Sequence, residues 1–458
     1  MTADEALALL DTLLPDCTFN NLQETVFCQV WEGKTYAEIA RENDYEHSYI
    51  RDVGFKLWQI LSEAFDKKVT KSNLQSVFKQ YTRTQASPTS DSISASSAAF
   101  APNSVSISKS IDPSEFCPTI EFPSGPVPLK SRFYIEREPV ETCACSQVVK
   151  PGSFTYIEAP RQLGKTSLLW RMLAHARSLG FQVVTLSLHR AESQVFSSLD
   201  RFLRWFCANV SRQLKVSIEI DRYWNEDLGS KISCTAYFEE HLLPTLKIPL
   251  VIAFDEFNRL FEYPDISREF LPLLRSWYEE GKELEPWQNL RWIVVSATDV
   301  YVPFELSASP FEVGLAVKLP KFTLTQVCDL AQRYGLVWVK TPKGKDRIEQ
   351  LIQMTGGCPK LMRLAFYHIS RYHVDPEQLL EEAPTQTGIY SDILRHYLAA
   401  LRPHPELETA FKQVVNATES VELDPIVAYR LQSLGTIKLE RNRAKPICDL
   451  LRLYFKSN

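Results

Sequence analysis

The sequence predicts an α/β protein: a parallel sheet with helices on both faces, followed by a helical lid and a C-terminal winged helix, and preceded by a separate all-α helix-turn-helix domain. Three observations predict it. Between about residues 128 and 320, apolar runs of strand length alternate with helical stretches, the order that a helix-covered parallel sheet produces. Beyond about Pro320 the strand-like runs stop and helical periodicity takes over. A segment rich in Ser, Pro and Ala, "TQASPTSDSISASSAAFAPNSVSISKSIDPSEF" with "FPSGPVP", divides a small helical stretch from everything after it.

The elements follow in order. In the first 83 residues "NLQETVFCQVWEG" places Leu22, Val26 and Val30 on one stripe at helical spacing. A short helix, "KTYAEIARENDY", comes next, then a longer one carrying Ile50, Val53, Leu57, Ile60 and Leu61. Short helix, turn and longer helix outline a helix-turn-helix. Residues 84–127 have few large apolar side chains to offset their ordering entropy, so a flexible linker is expected there. In the core region 128–320, "SFTYIEAP", "FQVVTLSLH", "PLVIAFDEF" and "NLRWIVVSAT" read as strands, and the last three are almost wholly apolar, as strands buried on both faces are. Residues 321–385 are expected to form the lid. Residues 386–458 read as a winged helix that ends in helix, strand, basic turn, strand and helix.

Composition narrows the function. At 458 residues the chain has room for about three domains. It is 45% hydrophobic and 23% charged with no apolar run of about eighteen residues, so no membrane partner is expected. The acidic start, "MTADEALALLDTLLPD", lacks the basic and apolar regions of an export signal, and a cytoplasmic location is expected. Net charge is −5, which gives no global attraction to nucleic acid. Of ten cysteines only Cys143 and Cys145 are close, and a lone C-x-C has no second ligand pair for a metal.

One stretch carries chemistry. "APRQLGKTS", Ala159 to Ser167, follows a strand and opens a helix, as a phosphate-binding P-loop of pattern G-x-x-x-x-G-K-[ST] must. Its first glycine is Ala159, one methyl larger and tolerable wherever φ is negative. Pro160, Arg161, Gln162, Leu163 and Gly164 would wrap phosphate oxygens with backbone N–H groups, Lys165 would meet the β and γ phosphates, and Thr166 would hold Mg2+. About ninety residues later an apolar strand ends in Asp255 and Glu256, a Walker B arrangement. Asp255 would bind the metal and Glu256 would activate water. Ser296 or Thr298, ending the next apolar strand, would sense the γ phosphate. Arg161 and Arg259 are the nearby arginines, and a surface role is the simpler account of each. The expected ligands are ATP and Mg2+.

Several blocks in order, "FPSGPVPLKSRFYIER", "APRQLGKTSLL", "DEFNRLFEY", "LLRSWYEE", "SPFEVG", "LPKFTLTQV" and "TGGCPKLMRLA", resemble the bacterial AAA-like ATPase family common in cyanobacteria. The resemblance implies an AAA+-related ATPase core with lid and winged helix, similar to the STAND class of signalling ATPases. It also implies that "GGCP", with Pro359, brings the lid to the nucleotide, and that Phe133–Arg137 lie near the adenine. The family commonly has Asn where this chain has Glu312. The N-terminal stretch resembles the helix-turn-helix found in conflict and signalling systems beside MoxR-type ATPases.

Two functions follow as expectations. In the first, ATP binding and hydrolysis drive a molecular switch that changes oligomeric state and exposes the N-terminal module to a protein partner. In the second, the helix-turn-helix and winged helix bind DNA as a transcriptional regulator, with nucleotide as a structural ligand only. The first 83 residues carry nine Lys and Arg against thirteen Asp and Glu, a poor surface for counterion release. Lys438, Arg441, Arg443 and Lys445 offer a local basic turn in compensation.

Overall fold

The computed structural model describes residues 6, 21–42, 50, 53, 54, 57, 58, 61, 62, 69–71, 73, 74, 77, 78, 120–298, 311 and 313–457. It divides into two compact units, residues 1–111 and 112–458.

The first unit contains α1 (Asn21–Trp31) and α2 (Tyr36–Glu42). The expected stripe is buried at Val26 and Val30, and Ile50, Leu57 and Leu61 join them in one small core with Phe27, Trp31 and Phe78. At the start of α2, Thr35 and Glu38 satisfy each other's backbone N–H groups, a reciprocal cap. Glu46, His47, Ser48, Tyr49, Arg51, Asp52 and Lys56, the side chains that the longer helix would offer to base edges if it read DNA, lie outside the described residues, as do the side chains of Leu22 and Ile60.

In the second unit, α3 (Val140–Val149) precedes a five-stranded parallel sheet of β1 (Phe154–Ala159), β2 (Gln182–Ser187), β3 (Leu250–Asp255), β4 (Leu290–Ala297) and β5 (Leu315–Lys318). Their spatial order is β2-β3-β4-β1-β5. The main covering helices are α4 (Lys165–Ser178), α5 (Leu199–Leu214) and α6 (Pro264–Glu283). β4 is buried along its whole length, Arg291 and Ser296 included, as its mostly apolar sequence favours. On one face Phe254 and Trp292 meet Trp277 and Phe270, and on the other Ile157, Val251 and Ile293 meet Leu169 and Met172 of α4. β5 is a fifth strand that the sequence reading passed over. It has four residues, too few for a periodic signal, and is held by pairing with β1 from Thr155↔Leu315 to Glu158↔Lys318.

The helices after the sheet are α7 (Leu324–Arg333), α8 (Pro342–Thr355), α9 (Pro359–Tyr372), α10 (Pro376–Glu382), α11 (Ser391–Leu401), α12 (Pro405–Asn416) and α13 (Pro425–Ser433). A two-residue β6 (Val421–Glu422), then β7 (Ile437–Glu440) and β8 (Arg443–Pro446), form a small antiparallel sheet before α14 (Asp449–Ser457). Sequence chemistry starts these helices: Thr323 and Gln326 close a capping box on α7, and Asp375 and Asp424 accept the first N–H groups of α10 and α13. Residues on both sides of position 385 share one hydrophobic core, in which Leu361, Tyr390, Phe411 and Tyr454 meet.

Residues 120–127, read from composition as part of the flexible linker, instead pack on the second unit. Val127 is buried, its N–H donates to Ser167 Oγ at 2.8 Å, and Arg171 donates to its carbonyl. Satisfied backbone groups and one buried valine outweigh the polar composition there.

Candidate functional site

The loop that follows β1 sits at the C-terminal edge of the sheet, where open parallel sheets bind ligands. Ala159 is the last residue of β1, paired with Ala297, and is not among the residues of positive φ. The extra methyl is therefore accommodated. Left-handed backbone occurs instead at Gln162 (φ 71) and Gly164 (φ 91), so the motif's second glycine is the one that geometry requires.

A buried arginine props the loop. Arg137 donates to the carbonyl of Leu163 at 2.6 Å, and its Nε lies 3.4 Å from Glu141, whose other oxygen accepts from Tyr134. A β-carbon at Gly164 would stand 3.4 Å from Arg137 Nη2, so loop and prop are closely fitted. Phe133 and Ile135 are buried in the helical core. The stretch 133–137 thus braces the loop, and none of its residues lines the pocket that Gln162 and Gly164 enter.

That pocket has a volume of about 400 Å3 and gathers residues distant in sequence: Gln162 and Gly164–Ser167, then Asp255 and Glu256, then Pro359, Lys360 and Arg363. Lys165 Nζ donates to the carbonyls of Ala159 (2.7 Å) and Pro160 (3.0 Å). Thr166 Oγ1 donates to Asp255 Oδ1 at 3.4 Å, across the gap between β1 and β3. Glu256 holds a left-handed conformation (φ 57) and accepts from Ser187 Oγ at 3.0 Å. Burial pushes the Asp255 carboxyl up from its ordinary range, and the neighbouring Glu256 charge pushes it further. The same pocket wall includes Arg363, whose side chain is 6% exposed, lies 3.9 Å from Glu121 and leaves its Nε without a hydrogen-bond partner. A half-buried aspartate, an exposed glutamate beside it and a buried arginine with an unpartnered donor, on the wall of the pocket that the loop lines, match the groups that hold a metal-bound phosphate.

Other expected residues lie elsewhere. Ala159, Pro160 and Leu163 line a different cavity behind the loop, and Arg161 touches both. Thr298 Oγ1 donates to the carbonyl of Ser433 at 2.7 Å, outside the pocket, and Ser296 is buried with its hydroxyl on the carbonyl of Ala297. The pocket-facing residues of this strand are Val295 and Ala297. Side chains alternate across a strand, so Ser296 and Thr298 face away together. Arg259 donates to the carbonyls of Leu188 and His189 and lies 5.0 Å over the Phe196 ring, while Arg161 Nη1 is 3.4 Å from His396. Glu312 lies outside the described residues.

Sequence reasoning missed Asn258, His189, Lys360 and Arg363, all of which line the pocket. A signal existed for the last: Arg363 is four residues after Pro359, one helical turn along α9 and hence on the same face. Among the described residues no His, Cys, Asp and Glu cluster could hold a metal without a ligand's help, and no helix is long and apolar enough to cross a membrane.

The raised Asp255 titration makes a prediction. The folded chain holds this proton more tightly than the unfolded chain, so the ionised carboxylate weakens the nucleotide-free fold at neutral pH, and the loss disappears as pH falls below the ordinary carboxylate range. Asp255→Asn should raise the thermal midpoint of the nucleotide-free protein at neutral pH and bring no gain in acid. Thermal unfolding across pH checks it; a lower midpoint for the variant at neutral pH contradicts it.

A parallel sheet in this order, with a phosphate-loop sequence after β1 and two acids after β3, defines a P-loop α/β core. The chain belongs to the AAA-like domain family, whose pattern matches residues 122–457. Residues 1–81 match the N-terminal helix-turn-helix of vWA-MoxR associated proteins. An uncharacterized WD repeat-containing protein of Synechocystis is 21% identical over 265 residues, 54% of this chain and 21% of that protein's length. This chain therefore corresponds to about a fifth of that relative. Among solved structures, a Walker-type ATPase of Pyrococcus abyssi is similar with a TM-score of 0.50 and 14% identity, covering 70% of this chain and 96% of that one. The ORC2 protein of Aeropyrum pernix aligns with a TM-score of 0.43 and 14% identity over 71% of this chain and 97% of that one.

Proposed function

We propose that this chain is a Mg2+-dependent ATP-binding and ATP-hydrolysing switch of the STAND type. One observation carries the reading: a single pocket joins the loop 162–167, the acids Asp255 and Glu256, and Lys360 and Arg363 at the start of α9. A triphosphate there would touch sheet and helices together, and a ligand shifts a conformational equilibrium when its contacts differ between the two states.

In this reading the loop N–H groups and the start of α4 receive phosphate oxygens, Lys165 leaves its carbonyls for the β and γ phosphates, and Thr166 and Asp255 hold the metal. Bound Mg2+ supplies positive charge to the phosphates as negative charge shifts toward the leaving oxygen. Glu256 takes a proton from the attacking water, whose oxygen bonds to the γ phosphorus as the bond to the β-phosphate oxygen breaks, leaving ADP and phosphate. Lys360 and Arg363 carry the state of the γ phosphate into the helical region, where residues 321–385 act as lid and 386–458 as a winged helix. The N-terminal domain serves as a protein-binding adaptor in a cytoplasmic signalling assembly.

The paired cations of the C-terminal hairpin support a protein-facing over a DNA-reading role. Lys438 and Lys445 both bridge Glu440 at 2.9 Å, and together they push its carboxyl down to about 2. Arg443 donates to the Ser420 carbonyl. The two lysines share that single carboxylate, so part of the hairpin's charge is already committed within the protein. Light scattering of the full chain with ATP, with ADP and without nucleotide tests the switch: a mass or radius that differs between ATP and ADP is expected, and identical values in all three conditions contradict it.

A further inference from the structure

Behind the loop, on the side away from Asp255, lies a second cavity of about 530 Å3, bounded by Pro160 of the loop, Leu361 of α9, and Tyr397, Ile437 and Leu451 from the C-terminal elements. Cavities of about 300–1,000 Å3 with mostly apolar walls and few polar groups are the usual form of a small-molecule site. The charged groups on its lining are Glu158, Arg161, Lys318, Lys321 and Lys438, and Lys321 lies three residues beyond β5.

Among the described residues the Lys321 ammonium has no hydrogen-bond or carboxylate partner. Partial burial lowers its pKa. Its nearest ionisable neighbours do not supply a negative charge. Cys358 and Cys448 also line the cavity, and burial pushes both thiols up, Cys448 to about 11, so both are neutral at neutral pH. The same raised values make them poor nucleophiles and argue against a redox role for the pair. Lys438, also on the wall, adds like charge and has its carboxylate partner in Glu440, and Glu158 at the rim is 3.5 Å from Lys318. Room is kept around the ammonium: Lys321 Nζ lies 3.2 Å from where a side chain at Gly356 would begin, and Gly356 is left-handed (φ 64). Apolar side chains beside cations that outnumber carboxylates on the wall, with Lys321 left without a partner among the described residues, call for a ligand with an apolar body and a negative charge.

We propose that this cavity binds a small apolar carboxylate, its hydrocarbon or aromatic body against Leu361, Ile437 and Leu451 and its carboxylate on Lys321. The inference does not rest on the nucleotide reading, because the cavity lies on the opposite side of the loop and its recognition group takes no part in that site.

The test is calorimetric titration of the full chain with octanoate and with 1-octanol, which share a chain length and differ in charge. Wild type should bind octanoate at least about tenfold more tightly than octanol, the scale of one charge-assisted contact. Lys321→Met should bring the two within about threefold by weakening octanoate alone, and Lys321→Arg should keep the preference; Lys321→Gln replaces the Met variant if that one does not fold. Equal affinities in wild type, binding of neither at millimolar concentration, or a preference that survives loss of the cation would each overturn the assignment.

Discussion

Lys165→Ala should lower nucleotide turnover by about a thousandfold and remove most ATP affinity. An ammonium about 4 Å from a phosphate charge, at the effective dielectric of a partly exposed site, contributes about 4 kcal/mol, and each 1.4 kcal/mol is about tenfold. Nothing else on the loop replaces it. Arg161 lies beside His396, and Arg137 is occupied beneath the loop with Leu163 and Glu141. The fold should survive the change, because the carbonyls that Lys165 contacts belong to Ala159 and Pro160 at the edge of the sheet, where water can take its place. Turnover by purified wild type and variant, with circular dichroism of both, reads the outcome. Equal rates would remove the proposed role of the loop.

Glu256→Gln separates binding from hydrolysis. Loss of a positioned general base costs typically about a hundred- to ten-thousandfold in rate, while the amide keeps the shape of the carboxylate and can still accept from Ser187. Affinity should hold or rise, since Glu256 is one cause of the raised Asp255 titration and its neutralisation leaves Asp255 a readier anion for the metal. The expected variant binds ATP as tightly as wild type or tighter and turns it over at least about a hundredfold more slowly. Single-turnover assays with labelled ATP decide this. Unchanged turnover would place the base elsewhere.

The two predictions lean on the part of the molecule that the sequence made most legible. β3 and β4 were the most readable because strands buried on both faces are mostly apolar, and the loop and acids were readable because they follow or end apolar-rich strands. The same continuity hid what mattered next. In β4 no polar alternation distinguishes the two faces, so nothing along the chain says that Ala297 faces the pocket while Ser296 and Thr298 turn away. Nothing along the chain marks Arg137 and Glu141 for burial, since charged residues usually lie at the surface; their burial follows from a tertiary fact, the carbonyl of Leu163 that Arg137 meets. Lys321 shows the same limit. Its isolation is set by what the C-terminal helices and hairpin bring around it, which no local pattern contains. Packing at positions 120–127 overrode composition, with one valine and a few backbone hydrogen bonds deciding the matter.

The account stands on Mg2+ and ATP meeting at Thr166 and Asp255, and calorimetric titration of ATP into the full chain, with and without Mg2+, tests that most directly. It predicts saturable binding at one site per chain that tightens at least about tenfold with the metal, and loss of that increment in Asp255→Asn. Absence of binding, or an affinity indifferent to Mg2+ in wild type, would contradict it.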